Sequence, residues 1–406
     1  MILKSEIADV ALSSMERIIT LNSGVKRIVD WKIISSKSYA LIVSGIRRCG
    51  KSTLMRQMIS ELEDEKCFFI NLDDPRLFGF DLNDFNRLNE IIEEGNYTHL
   101  FFDEIQLVPN WERYIRLLTD SEKYHIVISG SNTSMLSKEL GTHLTGRHIS
   151  KELFPFSYNE FRILTNLNEA SADTTKVYLK QGGFPEYLKT NNHEVLSGIL
   201  NDIIYRDISV RFGIRNHLAL KQLAIYLVSN AGNLLTANSL RKVIPIAATS
   251  TVMEYLNYFE NAYLAFFVPK FSYSYTKQIQ NPRKIYCIDT GMITVNTTSF
   301  SLDDGRRFEN LVFLSLRRKT KEIYYYAEKG ECDFVVCQNN QPINLIQACF
   351  NLTSDNLNRE LDGLYEAMQF FNLNKGTIVT LDQNDHFEKG NMQIAVLPYH
   401  KWIADF

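Results

Sequence analysis

Residues 41–53 read LIVSGIRRCGKST, an apolar run followed by a glycine-rich loop that ends in lysine, serine and threonine. The spacing Gly45-x4-Gly50-Lys51-Ser52 is that of a phosphate-binding P-loop, which lies between a buried strand and a helix. Backbone N–H groups at the helix start surround phosphate oxygens, the lysine neutralises them, and the adjacent hydroxyl serves as a Mg²⁺ ligand. The stretch therefore predicts a site for a nucleoside triphosphate.

We expect the whole loop to contact the nucleotide, with Lys51 also acting on the phosphates in catalysis. The predicted phosphate-contacting residues are Gly45, Ile46, Arg47, Arg48, Cys49, Gly50, Lys51, Ser52 and Thr53. A plain glycine turn is the alternative, and the strand-like ALIVS before it and the helical STLMRQMISELE after it disfavour that reading. ATP with Mg²⁺ is the expected pair of cofactors. GTP stays the alternative nucleotide, because no guanine-reading motif is evident and base contacts are usually made by scattered loops.

A second apolar run, HLFFDEIQ at residues 99–106, ends in two adjacent acids. Asp103 would hold the hydrated Mg²⁺, and Glu104 would polarise the attacking water. A solvated strand end is the ordinary explanation for an isolated acidic pair, but the P-loop favours the magnesium role. The predicted metal ligands are therefore Ser52 and Asp103, and the catalytic pair is Lys51 and Glu104.

Two further positions are candidates for contact with the γ-phosphate. The strand YHIVISGS ends in polar residues, and Asn132 or Ser131 would lie beside the phosphate if this strand lies between the two motif strands. A helix cap or a turn is the alternative role for these residues. Arg147 in HLTGRH would act as an arginine finger on its own or a neighbouring subunit, with a surface ion pair as the alternative. A homo-oligomer is thus one arrangement open to the chain.

Composition narrows the class of protein. The chain has 406 residues, more than one ordinary core holds, so several domains are expected. No run approaches the roughly 18 apolar residues of a membrane helix, and the six cysteines lack the spacing of a zinc site or the density of a disulfide scaffold. The formal net charge of -3 gives no general attraction to nucleic acid. We expect a cytoplasmic protein with reduced thiols and no membrane partner.

The motifs GIRRCGKST, FFDEIQ, ISGSN, LTGR, GGFPEYL and KIYCIDTG together resemble a prokaryotic family of AAA-type ATPases with an uncharacterised C-terminal domain. The resemblance extends over nearly the whole chain. It implies an α/β P-loop NTPase with a parallel sheet in the order 5-1-4-3-2, then a helical lid, a winged helix and a restriction-endonuclease-like α/β domain. The corresponding divisions are 1–155 for the N-terminal segment and ATPase core, 156–214 for the lid or connector, 215–295 for the winged helix and 300–406 for the last domain.

The last domain departs from the residue pattern of a restriction-like nuclease. Such an enzyme needs an acid on its first helix, an Asp on one strand and a Glu-x-Lys on the next. Glu309 and Asp333 fit the first two places, but the third reads Gln347-Ala-Cys349. A neutral amide is a poor Mg²⁺ ligand and a thiol is no fixed cation. We therefore expect no cleavage, and a fold kept for docking or binding.

The sequence argues against major-groove DNA reading by the winged helix. Its presumed recognition helix, residues 249–261, carries Glu254 and Glu260 but no lysine or arginine. The basic runs Arg317-Arg318-Lys319 with Lys321, and Arg283-Lys284, indicate either phosphate contact or solvated helix faces.

We expect an ATP-dependent switch or remodeller whose protein partner the sequence does not identify. A nucleic-acid-binding or cleaving effector with regulatory ATP, and a nucleotide-gated signalling scaffold, are the alternatives.

Overall fold

The structure of the protein is a computed structural model that describes residues 2–29, 36–62, 65–131, 146–246, 248–297 and 303–405. The chain forms two compact units, Met1–Phe154 and Pro155–Phe406. The first unit ends at Phe154, and the division of the ATPase core from a lid at residue 155 stays a prediction. The finer divisions expected within the second unit stay predictions.

A five-stranded parallel sheet forms the centre of the first unit, in the order β2-β3-β4-β1-β5. Its strands are β1 (Ala40–Ser44), β2 (Cys67–Asn71), β3 (His99–Asp103), β4 (His125–Gly130) and β5 (His148–Glu152). β1 and β3 are buried along their whole length, as expected when helices cover both faces of a parallel sheet. Read from the other edge, the order is 5-1-4-3-2, so the predicted P-loop fold is confirmed.

Amphipathic helices cover this sheet. The described helices of the first unit are α1 (Lys4–Thr20), α2 (Lys51–Glu61), α3 (Asp84–Gly95) and α4 (Trp111–Asp120), with 3-10 turns at Pro75–Leu77 and Ile105–Leu107. In α3, for example, Phe85, Leu88 and Ile92 follow helical spacing and join the buried core. Because the carboxyl ends of parallel strands lie on the same side of a sheet, the segments after β1, β3 and β4 lie close together there.

The second unit begins with helices. They are α5 (Tyr158–Thr165), α6 (Ala172–Gln181), α7 (Pro185–Thr190), α8 (His193–Asp202), a π-helix (Ile203–Val210) and α9 (His217–Ser229). The two glycines Gly182 and Gly183 separate two of these helices, because α6 ends at Gln181 and Pro185 starts α7. Proline is favoured at a first helical position, where its missing N–H costs no hydrogen bond.

A three-stranded antiparallel sheet follows, in the order β6-β8-β7. Its elements are β6 (Leu234–Leu235), α10 (Ala237–Val243), α11 (Thr249–Asn261), β7 (Ala265–Pro269), α12 (Tyr275–Gln280), β8 (Arg283–Cys287) and α13 (Thr290–Asn296). The apolar residues Val252, Tyr255, Leu256 and Phe259 of α11 are buried, so this helix packs internally. The order of elements agrees with a winged helix, an assignment that stays a prediction.

A six-stranded mixed sheet, β13-β14-β12-β11-β10-β9, ends the second unit. Its elements are α14 (Asp304–Arg317), β9 (Ile323–Ala327), β10 (Glu331–Gln338), β11 (Gln341–Ala348), α15 (Leu357–Phe371), β12 (Lys375–Thr380), β13 (Asp385–Lys389), β14 (Met392–Pro398) and α16 (Tyr399–Asp405). The endonuclease-like character of this part stays a prediction.

Two residues of the basic runs, for which phosphate contact and a solvated helix face were the alternatives, have internal partners. Arg318 Nη2 donates to the carbonyl oxygen of Pro155 at 2.7 Å, and Lys284 is 3% exposed. The six cysteines are all buried and none is in a disulfide. Within the described residues, no helix has both the length and the apolar character needed to cross a membrane.

Candidate nucleotide-binding site

The loop between β1 and α2 needs glycine at two positions. Gly50 has a φ of 103°, a conformation that residues with side chains rarely adopt. A Cβ atom at Gly45 would lie 2.2 Å from the carbonyl oxygen of Leu153, so the loop approaches that backbone too closely for any side chain. The N-cap residue of α2 is Gly50, which has no side chain with which to cap the first turn. Its N–H groups therefore form a start of helix suited to an anion.

Lys51 folds back over this loop. Its side chain is buried, and Nζ donates to the carbonyl oxygens of Gly45 at 3.1 Å and Ile46 at 3.3 Å. Nζ also lies 3.7 Å from Glu104 Oε1. A buried ammonium requires such polar partners, and these contacts hold the positive charge at the mouth of the loop. Phosphate oxygens bound there would be within its reach.

Asp103, at the end of β3, receives two hydroxyl groups. Ser52 Oγ donates to Oδ2 at 2.6 Å, and Ser129 Oγ donates to Oδ1. Burial raises the pKa of Asp103, the charge of Glu104 raises it further, and the two hydroxyl hydrogen bonds oppose the rise. The structure thus brings the two predicted metal ligands, Ser52 and Asp103, into direct contact.

Glu104 adopts an unusual backbone conformation beside this pair. Its φ is 54°, in the left-handed region that non-glycine residues seldom occupy and that recurs at functional sites. The Glu104 N–H donates to Ser129 Oγ at 3.1 Å, and Gln106 Nε2 donates to Oε2 of the carboxylate. Gln106 also lies 3.5 Å from Ser131 Oγ. These contacts fix the direction in which the Glu104 carboxylate points.

The strand that follows the two motif strands in the chain lies between them, because β4 pairs with both β1 and β3. This is the placement that the predicted γ-phosphate contact required. Ser129 contacts Asp103 and Glu104 from this strand, and Ser131 is buried next to Gln106. Asn132, the other predicted sensor, lies outside the described residues.

Arg147 does not reach the phosphate site of its own chain. Its carbonyl oxygen accepts the N–H of Ala40, at the start of β1, whereas the P-loop follows the other end of that strand. Its guanidinium forms a half-exposed ion pair with Asp120 at 2.6 Å. The prediction of an arginine finger acting within the chain is therefore wrong, because Arg147 lies at the amino ends of the parallel strands and the P-loop lies at their carboxyl ends. A role on a neighbouring subunit stays a prediction.

Arg27 is a site residue that the sequence did not reveal. It is buried, and its guanidinium donates at 2.6 Å to the carbonyl oxygens of Cys49, in the P-loop, and of Phe154. Its backbone N–H donates to Gln57 Oε1 on α2 at 3.0 Å. Arg27 thereby ties the segment after α1 to the loop. No spacing rule marks a lone arginine 22 residues before its partner.

The fold and the site define an AAA-type P-loop ATPase, and residues 37–162 match the sequence profile of the AAA domain. Residues 172–301 match a domain of unknown function, DUF8612. The uncharacterized protein MJ1544 of Methanocaldococcus jannaschii is 34% identical over 412 residues, covering 94% of this chain and 91% of that protein. The chain belongs to the same family. An uncharacterized protein of Haemophilus influenzae is 29% identical, covering 71% of this chain and 80% of its own length.

Solved structures show weaker likenesses. The Aeropyrum pernix ORC1 protein in complex with DNA has 12% identity and a TM-score of 0.34, covering 64% of this chain and 85% of that one. AMPPCP-bound DnaA from Aquifex aeolicus has 14% identity and a TM-score of 0.31, covering 59% and 92%. At these TM-scores neither likeness bears on what the present chain binds.

Proposed function

We propose that the first unit binds ATP with Mg²⁺ and hydrolyses it, and that the nucleotide state makes the protein a switch or remodeller acting on a protein partner. The observation that carries this proposal is the contact of Ser52 with Asp103, directly beside Lys51 and Glu104. Phosphate-binding, metal-binding and water-orienting groups then meet at the start of one helix.

The side chains fit the cofactor pair. Lys51 and the N–H groups of the P-loop would hold the β- and γ-phosphates, since both present positive charge at the start of α2. The Ser52 hydroxyl and Asp103 carboxylate would hold Mg²⁺, because hydroxyl and carboxylate oxygens are ligands that this ion prefers. A bound Mg²⁺ would supply neutralisation of the charge that builds on the transferred phosphoryl group.

Glu104 would orient the attacking water and accept its proton. Its carboxylate is held by Gln106 on one side and faces Lys51 on the other. A carboxylate fixed in this way presents its free lone pairs in one direction, which is what positioning a nucleophile requires. Bound phosphates would attract the Lys51 ammonium and so draw it away from the Glu104 carboxylate. Nucleotide binding would thereby leave Glu104 able to orient the attacking water.

The test is steady-state ATP hydrolysis with Mg²⁺ by the intact protein and by Glu104→Gln, together with the affinity for a fluorescent ATP analogue. We expect unchanged affinity and a fall in turnover of about 10²- to 10⁴-fold, since only the water-orienting group is removed. Glu94→Gln, an exposed carboxylate on α3, is the matched control and should keep full turnover. Equal turnover by Glu104→Gln and the intact protein would overturn the role of Glu104.

Each measurement is repeated with added DNA, which separates the proposal from the nucleic-acid alternative. Hydrolysis that is indifferent to DNA at low salt supports a protein partner, in line with the absence of basic residues from α11. Acceleration by DNA would instead favour an effector that acts on nucleic acid. No hydrolysis at all, with nucleotide still bound, would leave a nucleotide-gated scaffold.

A further inference from the structure

A lysine from β8 lies among three carboxylates in the second unit. Lys284 Nζ is 2.7 Å from Glu331 Oε1, 2.8 Å from Asp333 Oδ1 and 3.1 Å from Glu309 Oε1. Glu309 is on α14 and Asp333 is on β10, and they are the two acids that the sequence assigned to the places of a nuclease metal centre. The structure therefore brings the predicted acid pair together, with an ammonium between its members.

Other donors of the chain meet the same two acids. Tyr286 Oη donates to Glu309 Oε1 at 2.6 Å, and the N–H of Ala348 donates to Asp333 Oδ2 at 3.0 Å. Both carboxylates thus accept hydrogen bonds from groups built into the fold.

Gln347, the residue in the place of a nuclease glutamate, is also held at both ends. Its Oε1 accepts the N–H of Asp333 at 3.0 Å, and its Nε2 donates to Glu360 Oε2 at 2.6 Å. A glutamate in the same place could not donate to Glu360. The amide is therefore part of a hydrogen-bond network and not a vacant metal position.

Distances and charges suit an ammonium at the centre of this cluster. Separations of 2.7 to 3.1 Å are those of N–H···O bonds, whereas Mg²⁺ lies at about 2.1 Å from its oxygen ligands. Burial by itself would lower the pKa of Lys284, but Asp333 and the other acids outweigh it and hold that pKa well above its usual value. Among the described residues, no group of three or more His, Cys, Asp and Glu side chains is arranged to hold a metal ion.

The cluster lines a cleft of about 1160 Å³. Six acidic and four basic residues line this cleft, so its charge does not favour a phosphodiester chain. A nuclease centre is also acidic, and its bound divalent ions offset the repulsion between its acids and the phosphates. The cation that occupies the acid cluster therefore decides whether the cluster can act as a nuclease centre.

We propose that the Lys284 ammonium is the resident cation of this acid cluster and takes the place of a divalent ion. The second unit then binds no divalent ion between Glu309 and Asp333 and does not cleave phosphodiesters. The same ammonium also joins β8 of the three-stranded sheet to α14 and β10. This inference is independent of ATP hydrolysis in the first unit.

Lys284→Met tests the proposal, because methionine keeps much of the apolar stem and removes the charge. Thermal unfolding is measured without nucleotide, with and without Mn²⁺, in chains that also carry Asp103→Asn to silence the metal ligands of the first unit. We expect Mn²⁺ to raise the melting temperature of the Lys284→Met chain by about 3 °C or more, since it replaces a lost cation. The chain that keeps Lys284 should shift by less than about 1 °C.

Two control variants sharpen this comparison. Lys284→Arg keeps a cation and should not respond to Mn²⁺, whereas Lys284→Met with Asp333→Asn lacks a ligand and should lose the response. If Lys284→Met does not fold, electron paramagnetic resonance of Mn²⁺ with the Lys284 chain still decides. A bound ion that Asp333→Asn removes would overturn the proposal, as would Mg²⁺-dependent cleavage of DNA or RNA that this substitution abolishes. Absence of such an ion supports it.

Discussion

The Ser52 hydroxyl donates a hydrogen bond of 2.6 Å to the carboxylate of Asp103, joining the P-loop to the end of β3. Because both side chains would act on one Mg²⁺, their effects on turnover should not add. We expect Ser52→Ala and Asp103→Asn each to impair Mg²⁺-dependent hydrolysis, and the double variant to be little worse than Asp103→Asn alone. A double-mutant cycle should give a coupling of about 1 to 3 kcal/mol. Ser60→Ala on the same helix is the control, and costs that simply add would contradict a shared ion.

Lys51→Ala should weaken ATP binding by about 100-fold or more, because hydrogen bonds from a charged donor contribute about 1.5 to 3 kcal/mol each. The measurement is the affinity for a fluorescent ATP analogue. Lys26→Ala is the matched control, since Lys26 is an exposed lysine of the same unit that pairs with Glu61. Equal loss in both variants would show that general charge, and not the position of Lys51, holds the nucleotide.

Ser129→Ala should shift the pH dependence of hydrolysis. Burial and then the charge of Glu104 raise the pKa of Asp103, and the Ser129 hydroxyl lowers it by donating to the carboxylate. Asp103 must be ionised to hold Mg²⁺, so loss of this hydrogen bond should move the acid limb of the kcat/KM profile up by about 0.5 to 1 pH unit. Ser131→Ala should leave that limb in place. A profile that does not move would exclude Asp103 as the group that titrates there.

Asp289→Asn should change how the stability of the second unit depends on pH. Asp289 accepts N–H groups from Gly183 at 2.6 Å and Met292 at 2.9 Å, and burial raises its pKa to about 6 from 3.8. The folded state therefore binds the proton of the Asp289 carboxyl group more tightly than the unfolded state does. This proton binding stabilises the fold fully below pH 3.8, and the stabilisation is lost as pH rises through about 6.

Relative to Asp289→Asn, the free energy of unfolding of the intact protein should thus fall by up to about 3 kcal/mol between pH 4 and 7. Urea unfolding at a series of pH values measures this difference. Asp385→Asn on the exposed strand β13 should run parallel to the intact protein. Parallel curves for the intact protein and Asp289→Asn would contradict the raised pKa.

Arg27→Met should lower both stability and nucleotide affinity. The variant leaves the carbonyl oxygens of Cys49 and Phe154 without the guanidinium that bonds to both, at a cost of about 2 to 4 kcal/mol in unfolding free energy. Because one of these carbonyls belongs to the P-loop, ATP affinity should fall even under conditions where the variant is fully folded. Arg56→Met, on α2 with an exposed contact to Ile19, is the control. Unchanged affinity in folded Arg27→Met would make Arg27 a stabilising residue only.

The sequence could predict the elements that carry local patterns. The spacing of Gly45, Gly50 and Lys51 fixes a strand, a loop and a helix start within 13 residues, and Asp103 follows an apolar run long enough to be a buried strand. In both cases the residues that determine the local structure and the site chemistry are close to one another in the sequence. The order of the strands came from resemblance to a family and not from these patterns.

Contacts between distant segments could not be predicted in this way. Arg27 reaches a carbonyl 127 residues further along the chain, and Lys284 meets Asp333 across 49 residues. The run Arg283-Lys284 indicates phosphate contact or a solvated helix face, but Lys284 lies on β8 and its side chain is turned inward to Asp333 of another sheet.

Because all six cysteines are buried, their reactivity measures local unfolding of the chain. Cys49 and Cys67 lie in the first unit, and the other four lie in the second. Burial raises the pKa of each thiol, to about 11 for Cys67 and about 12 for Cys287, so little thiolate is present at neutral pH. An alkylating reagent will therefore modify a cysteine chiefly when its surroundings unfold. Labelling followed by mass spectrometry, with and without ATP, would measure how nucleotide binding redistributes protection between the two units.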